Sequence, residues 1–399
     1  MKITFLIGNG FDLNLGLKTT YKDFYKNYLM TLDSEVINNN VLYKHIDKNI
    51  EDWVDFETRL GLFTFPPNSS DTDRVNLLKR AKSLSDDNDF IENELNNNKN
   101  FSSDVFLSAL TDFRKSFKKY LIQESKRLNN LDNLLGEVLY KGLTSFADDY
   151  NDNEKISLYS YMNNQTNISN GARTLSINYS FLTFNYTEFL EVGKNYIDSS
   201  KVSQQLIKNF NEETDTNLNI LTSIGQVYHI HSKLNGGMFL GVDNDSQLNS
   251  KVFSTKELST LIKPLSNQIH NNNITDRVDK EITSSNIVVI YGTALGVTDL
   301  TWWKKIITFL KQRHAPIVLI HKFDLEIDTE EDDFFALEEL KEDVKEHLLS
   351  FDDTLTVEET IELKKQIFVN LNSKSIFDST VLSRYLVEEN KNHLVASQV

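Results

Sequence analysis

The residues best suited to chemistry are an acid, an amide and an imidazole that stand far apart in the chain. Asp12 lies in Gly8-Asn9-Gly10-Phe11-Asp12, a turn that directly follows the apolar run 3–7. Asn185 stands in Phe184-Asn185-Tyr186-Thr187, after a second apolar run, and His231 belongs to His229-Ile230-His231-Ser232. A carboxylate and an imidazole can move protons near neutral pH, and an amide can orient a ribose hydroxyl or a water. Each also has a plainer use. Asp12 serves equally well as a helix N-cap. Asn185, with Glu188 three residues on, fits a capping box. Thr298 or Asp299 fits the cap of the helix that carries Trp302 and Trp303. Strand alternation sets His229 and His231 on one face. With no third ligand nearby, one general base beside a packed neighbour fits better than a zinc site, and no metal is expected.

These side chains need elements to aim them. Runs at 3–7, 180–184, 226–230, 238–240, 287–291, 317–320 and 367–371 read as strands. Helical patterns at 302–310 and 334–349 lie between the later ones. Strands alternating with helices predict an α/β fold: a Rossmann-like, mostly parallel sheet with helices on both faces. The stretch 31–175 differs, with apolar residues at helical spacing in Phe106, Leu110, Phe113, Phe117, Tyr120 and Leu121. It reads as a large helical insertion domain, leaving 1–30 and 176–399 to form the Rossmann-type domain. Polar stretches such as 85–100 read as loops.

Glycine adds a signal. Of 14 glycines, nine fall beside predicted strands: Gly8, Gly10 and Gly16, then Gly225, Gly236, Gly237 and Gly241, then Gly292 and Gly296. Ligands of open α/β sheets sit beyond the carboxyl ends of the strands, where such turns can converge on one crevice. The first turn lacks the Gly-Lys-Ser/Thr ending of a P-loop and the third glycine of the dinucleotide fingerprint. It leaves a strand–turn–helix whose N–H groups could receive a pyrophosphate.

Composition narrows the classes. Over 399 residues, 42 Lys+Arg against 58 Asp+Glu give a net charge of −16, which disfavours nucleic acid as a partner. With no cysteine, disulfides, Cys-ligated zinc and thiol catalysis are ruled out. No run of roughly 18 apolar residues crosses a membrane, and the start is too short for a signal peptide, so a cytoplasmic protein is expected.

The segments Gly8 to Asp12, Gly16-Leu17 with Thr19, Tyr21 and Phe24, and Trp53, Asp55 and Glu57 resemble the bacteriophage abortive-infection AbiH family. Phe184 to Thr187, His229-Ile230-His231, and Gly292 with Asp299 and Trp303 continue that resemblance. The same landmarks resemble the sirtuin-type (SIR2-like) fold, in which comparable turns surround NAD. Ser232 stands where that pattern has glycine, Thr187 where it has aspartate and Ala294 where it has serine. The lack of cysteine removes the zinc ribbon of deacetylating sirtuins, so water attack on NAD is the reaction implied. The resemblance implies an anti-phage effector, an NAD glycohydrolase releasing nicotinamide and ADP-ribose, with NAD as substrate. Asn185, His231 and Asp12 are its implied catalytic residues. Gly8, Asn9, Gly10, Phe11, Thr183, Tyr186, Gly292, Thr293 and Asp299 are its implied nucleotide contacts. A homo-oligomer or a phage-derived activator is a further expected partner. The alternatives are a nucleotide-binding sensor or scaffold acting through a partner, and a nucleic-acid-targeting toxin.

Overall fold

The computed structural model describes residues 1–386, apart from 49, 54, 67–69, 76, 78–100, 170–171, 215–217, 270–272, 324–326 and 328–332. The expected loop at 85–100 lies outside the described residues. Seven strands form one sheet: β1 (Lys2–Ile7), β2 (Asn167–Ser169), β3 (Ala172–Thr183), β4 (Asn219–His229), β5 (Ile287–Tyr291), β6 (Ile317–Lys322) and β7 (Ile367–Leu371). Their order is β4-β3-β1-β5-β6-β7, with β2 turned back against the start of β3. Pairing is parallel throughout that order, and β2 alone of these strands runs antiparallel. The chain therefore winds outward from β1 through β3 to β4, then returns to the other side of β1 for β5, β6 and β7. Loops leaving β1 and β5 depart in opposite directions from adjacent strand ends, which is where an open sheet offers a crevice.

Burial follows the pleat. Ile3, Phe5 and Ile7 of β1, with Ile287, Val289 and Tyr291 of β5, point into one core. Leu6, Val288 and Ile290 point into the opposite one. Side chains that alternate between two apolar layers require a sheet covered on both faces. Helices Asp132–Thr144, Asp152–Asn163 and Ser199–Thr214 supply apolar residues to the first layer. Helices Ile274–Thr283, Leu300–Leu310 and Phe334–Leu349 supply the second.

A third core is rich in aromatic rings. Phe24, Tyr25, Trp53 and Phe56 pack there with Phe106, Phe113 and Phe117 of helix Ser103–Ser125. The Phe56 and Phe113 rings are stacked with centroids 4.2 Å apart. Leu234, Leu240, Val242 and Leu261, from the chain beyond β4, complete this core. The helical stretch 31–175 thus divides between two cores: residues up to about 121 build a lobe, and 128–162 pack directly on the sheet.

Residues 238–240 are irregular chain, although their apolar run reads as a strand. Side chains replace the ladder there. The Phe239 carbonyl accepts from Tyr186 Oη at 2.9 Å, and the Leu240 carbonyl from Arg114 Nε at 3.2 Å. Among the described residues no helix is long and apolar enough to cross a membrane.

Candidate functional site

Two polar clusters lie at the carboxyl end of the sheet, one on each side of the loop Phe184-Asn185-Tyr186-Thr187. The first is built on Asp12. Helix Gly10–Asn14 starts directly after the β1 turn, and Asp12 is buried within it. Its carboxylate caps nothing. Oδ1 accepts from Asn185 Nδ2 at 3.0 Å, and Oδ2 accepts from Thr187 Oγ1 at 2.8 Å. Asn185 in turn does not cap a helix, since the next one, Phe189–Asn195, begins after Glu188. Both local readings yield to a contact across 173 positions of sequence. Burial pushes the Asp12 carboxyl up to about 7, against the opposing pull of Thr187, Asn185 and His229. A carboxyl with that pKa exchanges protons readily at neutral pH.

The second cluster is ionic and centres on the buried Lys263. Lys263 Nζ lies 2.8 Å from Glu57 Oε2 and 3.2 Å from Asp299 Oδ1. His231 Nε2 is 3.1 Å from the same Asp299 oxygen. That contact is an ion-pair approach and not a hydrogen bond. Burial alone would raise Asp299, but Lys263 and His231 outweigh it and hold it down to about 2. Glu57 is pushed up to about 7 by burial and by the Asp299 charge, which Lys263 only partly offsets. One cation cannot neutralise two carboxylates in a dry interior, and Asp299 takes the charge. Burial, reinforced by Lys263, lowers His231, so its ring is neutral at pH 7.

Asp299 is free for this work because another residue does its expected task. It stands at the N-cap of helix Leu300–Leu310 without capping through its side chain. Asp243 Oδ2 instead accepts from Thr301 N at 3.0 Å and Thr301 Oγ1 at 2.8 Å. Ser232 takes φ +65, in the left-handed region that glycine adopts most readily.

The glycines serve contact between loops. Gly10 N donates to Gly292 O at 2.8 Å, and a Cβ on Gly10 would fall 2.4 Å from Gly292 Cα. Gly8 N donates to Tyr291 O at 2.9 Å. Asn9 Oδ1 accepts from Thr19 Oγ1 at 2.7 Å. Phe11 turns into the core, edge-on to Phe377 at 5.2 Å. Thr183 is fully buried and its Oγ1 receives the Asn185 N–H at 3.0 Å. The structure therefore brings Asp12 to Asn185 and His231 to Asp299, and it sends His229 and His231 to different partners.

Several buried polar atoms around these loops have no partner: Asn185 Oδ1, Glu191 Oε2, Asp243 Oδ1 and Thr293 Oγ1. Burying an acceptor without a donor costs about 1–3 kcal/mol, so these atoms are candidates to hold a water or a ligand group. Among the described residues, no group of three or more His, Asp or Glu is arranged to hold a metal ion.

A family model described as bacteriophage abortive infection AbiH matches residues 4–321. The chain belongs to the AbiH family. No curated protein matches it. The AbiH span runs from β1 to the end of β6 and holds every residue of both clusters. The family description gives this AbiH protein a role in phage abortive infection.

Sequence reasoning did not single out Asp243 or Lys263, and it knew Glu57 and Thr187 only as pattern positions. One signal for Glu57 was available. It is a charged residue in Phe56–Phe63, a helix whose every residue is buried, and a charge in such a segment needs a partner.

Proposed function

We propose that this AbiH protein is an abortive-infection effector that hydrolyses the N-glycosidic bond of NAD, or of a related nucleotide, at the Asp12–Asn185 end of the sheet. The observation that carries this reading is Asn185 Oδ1. It is a buried, unpartnered acceptor on the same amide whose nitrogen holds a carboxyl of pKa about 7. Cleaving the bond builds positive charge on the ribose, which calls for an acceptor, a carboxyl group and few competing donors. Asn185 Oδ1 would hold the attacking water, and Asp12 would take its proton. Neutral His231, steadied by Asp299, would face a ribose hydroxyl. Nicotinamide leaves uncharged, so the products are nicotinamide, ADP-ribose and one proton.

The strand order supports a nucleotide as substrate. Taken in chain order without β2, it is the 3-2-1-4-5-6 order of doubly wound dinucleotide-binding sheets, consistent with the Rossmann-like and SIR2-like resemblance. Fold alone does not set chemistry, and the reading rests on the side chains. The direct contact of Gly10 with Gly292 favours a second reading, a nucleotide sensor whose loops part only when a partner binds.

Purified protein incubated with NAD, alone and with lysate from phage-infected cells, tests the proposal by chromatography of nicotinamide. Asn185→Ala and Asp12→Asn should each reduce release by about 100-fold or more. Release by both variants at the level of the unmodified protein would overturn the residue assignment, and no release in any condition would overturn the hydrolase reading in favour of the sensor.

A further inference from the structure

We infer that His229 and Glu191 are the positioning pair of this site, sharing a proton that holds the Asn185 peptide and, when the ring carries it, sets a positive charge opposite Asp12. The inference rests on the hydrolase reading for its function and on hydrogen-bond geometry for its form. β4 ends at His229, in register with Thr183, so the ring lies beneath the loop that begins one residue later. Its Nδ1 is 2.9 Å from the backbone oxygen of Asn185, and its Nε2 is 2.5 Å from Oε1 of Glu191. A carbonyl oxygen only accepts, so Nδ1 carries a hydrogen. Nε2 then faces a carboxyl oxygen at a distance that requires a hydrogen between them. The pair therefore contains one proton more than a neutral ring beside a carboxylate, whichever atom carries it.

Both ring nitrogens are occupied, which removes His229 from direct proton exchange with a substrate. What remains is placement. The Asn185 carbonyl fixed by Nδ1 belongs to the residue whose Nδ2 reaches Asp12, and Glu191 fixes the ring from the first turn of helix Phe189–Asn195. The His229 side chain is 7% exposed and that of Glu191 28%, so the contact is largely dry. Other charges face the pair: Asp12, Glu188 and Lys233, the last two joined in an ion pair. A proton on the pair draws Asp12 toward ionisation.

Two measurements test this on the full chain. In protein carrying 15N-histidine, NMR should show His229 with hydrogen on Nδ1, and Glu191→Gln should leave that hydrogen in place, because glutamine can donate to a bare Nε2. A bare Nδ1 in the unmodified protein would overturn the inference. In nicotinamide release, His229→Leu should lower kcat about 10- to 100-fold with KM within about twofold, the range seen when a residue that orients a ligand-bearing group is lost. His229→Gln, whose amide can donate to the Asn185 carbonyl, should recover part of that loss. Glu191→Gln should shift the acid limb of the pH profile upward, since Asp12 loses the facing charge. Equal loss in the leucine and glutamine variants, with an unmoved limb, would overturn the positioning role. The NMR arm reads the pair without turnover, so failure to release nicotinamide counts against the hydrolase alone.

Discussion

Lys263 Nζ sits 2.8 Å from Glu57 Oε2, tying a helix of the aromatic lobe to the loops at the end of the sheet. The same ammonium reaches Asp299 at 3.2 Å, and Asp299 in turn lies against His231. A lobe with its own apolar core is thus joined to the candidate site by a buried cation between two carboxyl groups, one ionised and one near its midpoint at neutral pH.

Removing that cation should be costly. Lys263→Met leaves the Asp299 charge buried without compensation, and breaking one side of a buried pair costs roughly 3–5 kcal/mol. Urea unfolding should show a loss of that order. The double variant Lys263→Met/Asp299→Asn should recover much of it, because no bare charge remains. A single-variant loss below about 1 kcal/mol would mean that water reaches the cluster.

Legibility in the sequence tracked how local each constraint is. β1, β5, β6 and β7 are largely buried strands that read as mostly apolar runs, and helix Phe334–Leu349 carries its own period. Only the ends of β3 and β4 read as strands, although β3 alternates polar and apolar through Thr174, Leu175, Ser176, Ile177, Asn178 and Tyr179. That period of two is the mark of a strand, and a search for continuous runs passes over it. The site was harder to read. Asp12, Asn185 and Asp299 all fit local caps, and their actual partners stand 173, 173 and 36 positions away. Spacing along one chain carries no trace of such pairings.

Stability should fall as pH rises through the range set by Asp12. Its carboxyl sits at about 7 when folded against an ordinary 3.8, so between these values the folded state holds a proton that the unfolded chain has released. The stabilisation is complete below about pH 4 and gone above about pH 7. Asp12→Asn carries no such proton. Across denaturant titrations from pH 4 to 8, the wild type should lose up to about 4 kcal/mol relative to that variant, from about 1.4 kcal/mol per pKa unit. Parallel curves would show that the carboxyl is solvated.

His321 should act with the opposite sign. It is buried at the end of β6 with Nδ1 unpartnered, and burial lowers it to about 4 despite the opposing charge of Asp149. Below its ordinary 6.5 the unfolded chain takes up a proton that the folded ring refuses. This contribution is present above about pH 6.5 and is lost as pH falls toward 4. His321→Asn should therefore flatten the acid side of the stability curve, by on the order of 3 kcal/mol between pH 6.5 and 4. A wild-type curve with the same acid slope as the variant would place the ring in contact with solvent.

Two glycine substitutions separate close packing from backbone conformation. Gly10 has no need of a left-handed backbone. Its constraint is the Gly292 Cα, 2.4 Å from where a Cβ would stand. Neither loop can give way without losing the Gly10 N–H to Gly292 O hydrogen bond, since the obstructing atom is backbone. Gly237 presents the reverse case, with φ +94 and nothing within 4 Å of an added Cβ. Gly237→Ala should cost only the strain of that conformation, about 1–2 kcal/mol, and leave the site unchanged. Gly10→Ala should cost more, about 3 kcal/mol or above, and should displace Asp12, two residues along the same helix. Measured together by thermal unfolding and nicotinamide release, Gly10→Ala should lose both stability and turnover while Gly237→Ala keeps its turnover. If Gly10→Ala is the milder of the two, the loops from β1 and β5 stand further apart than their hydrogen bond requires.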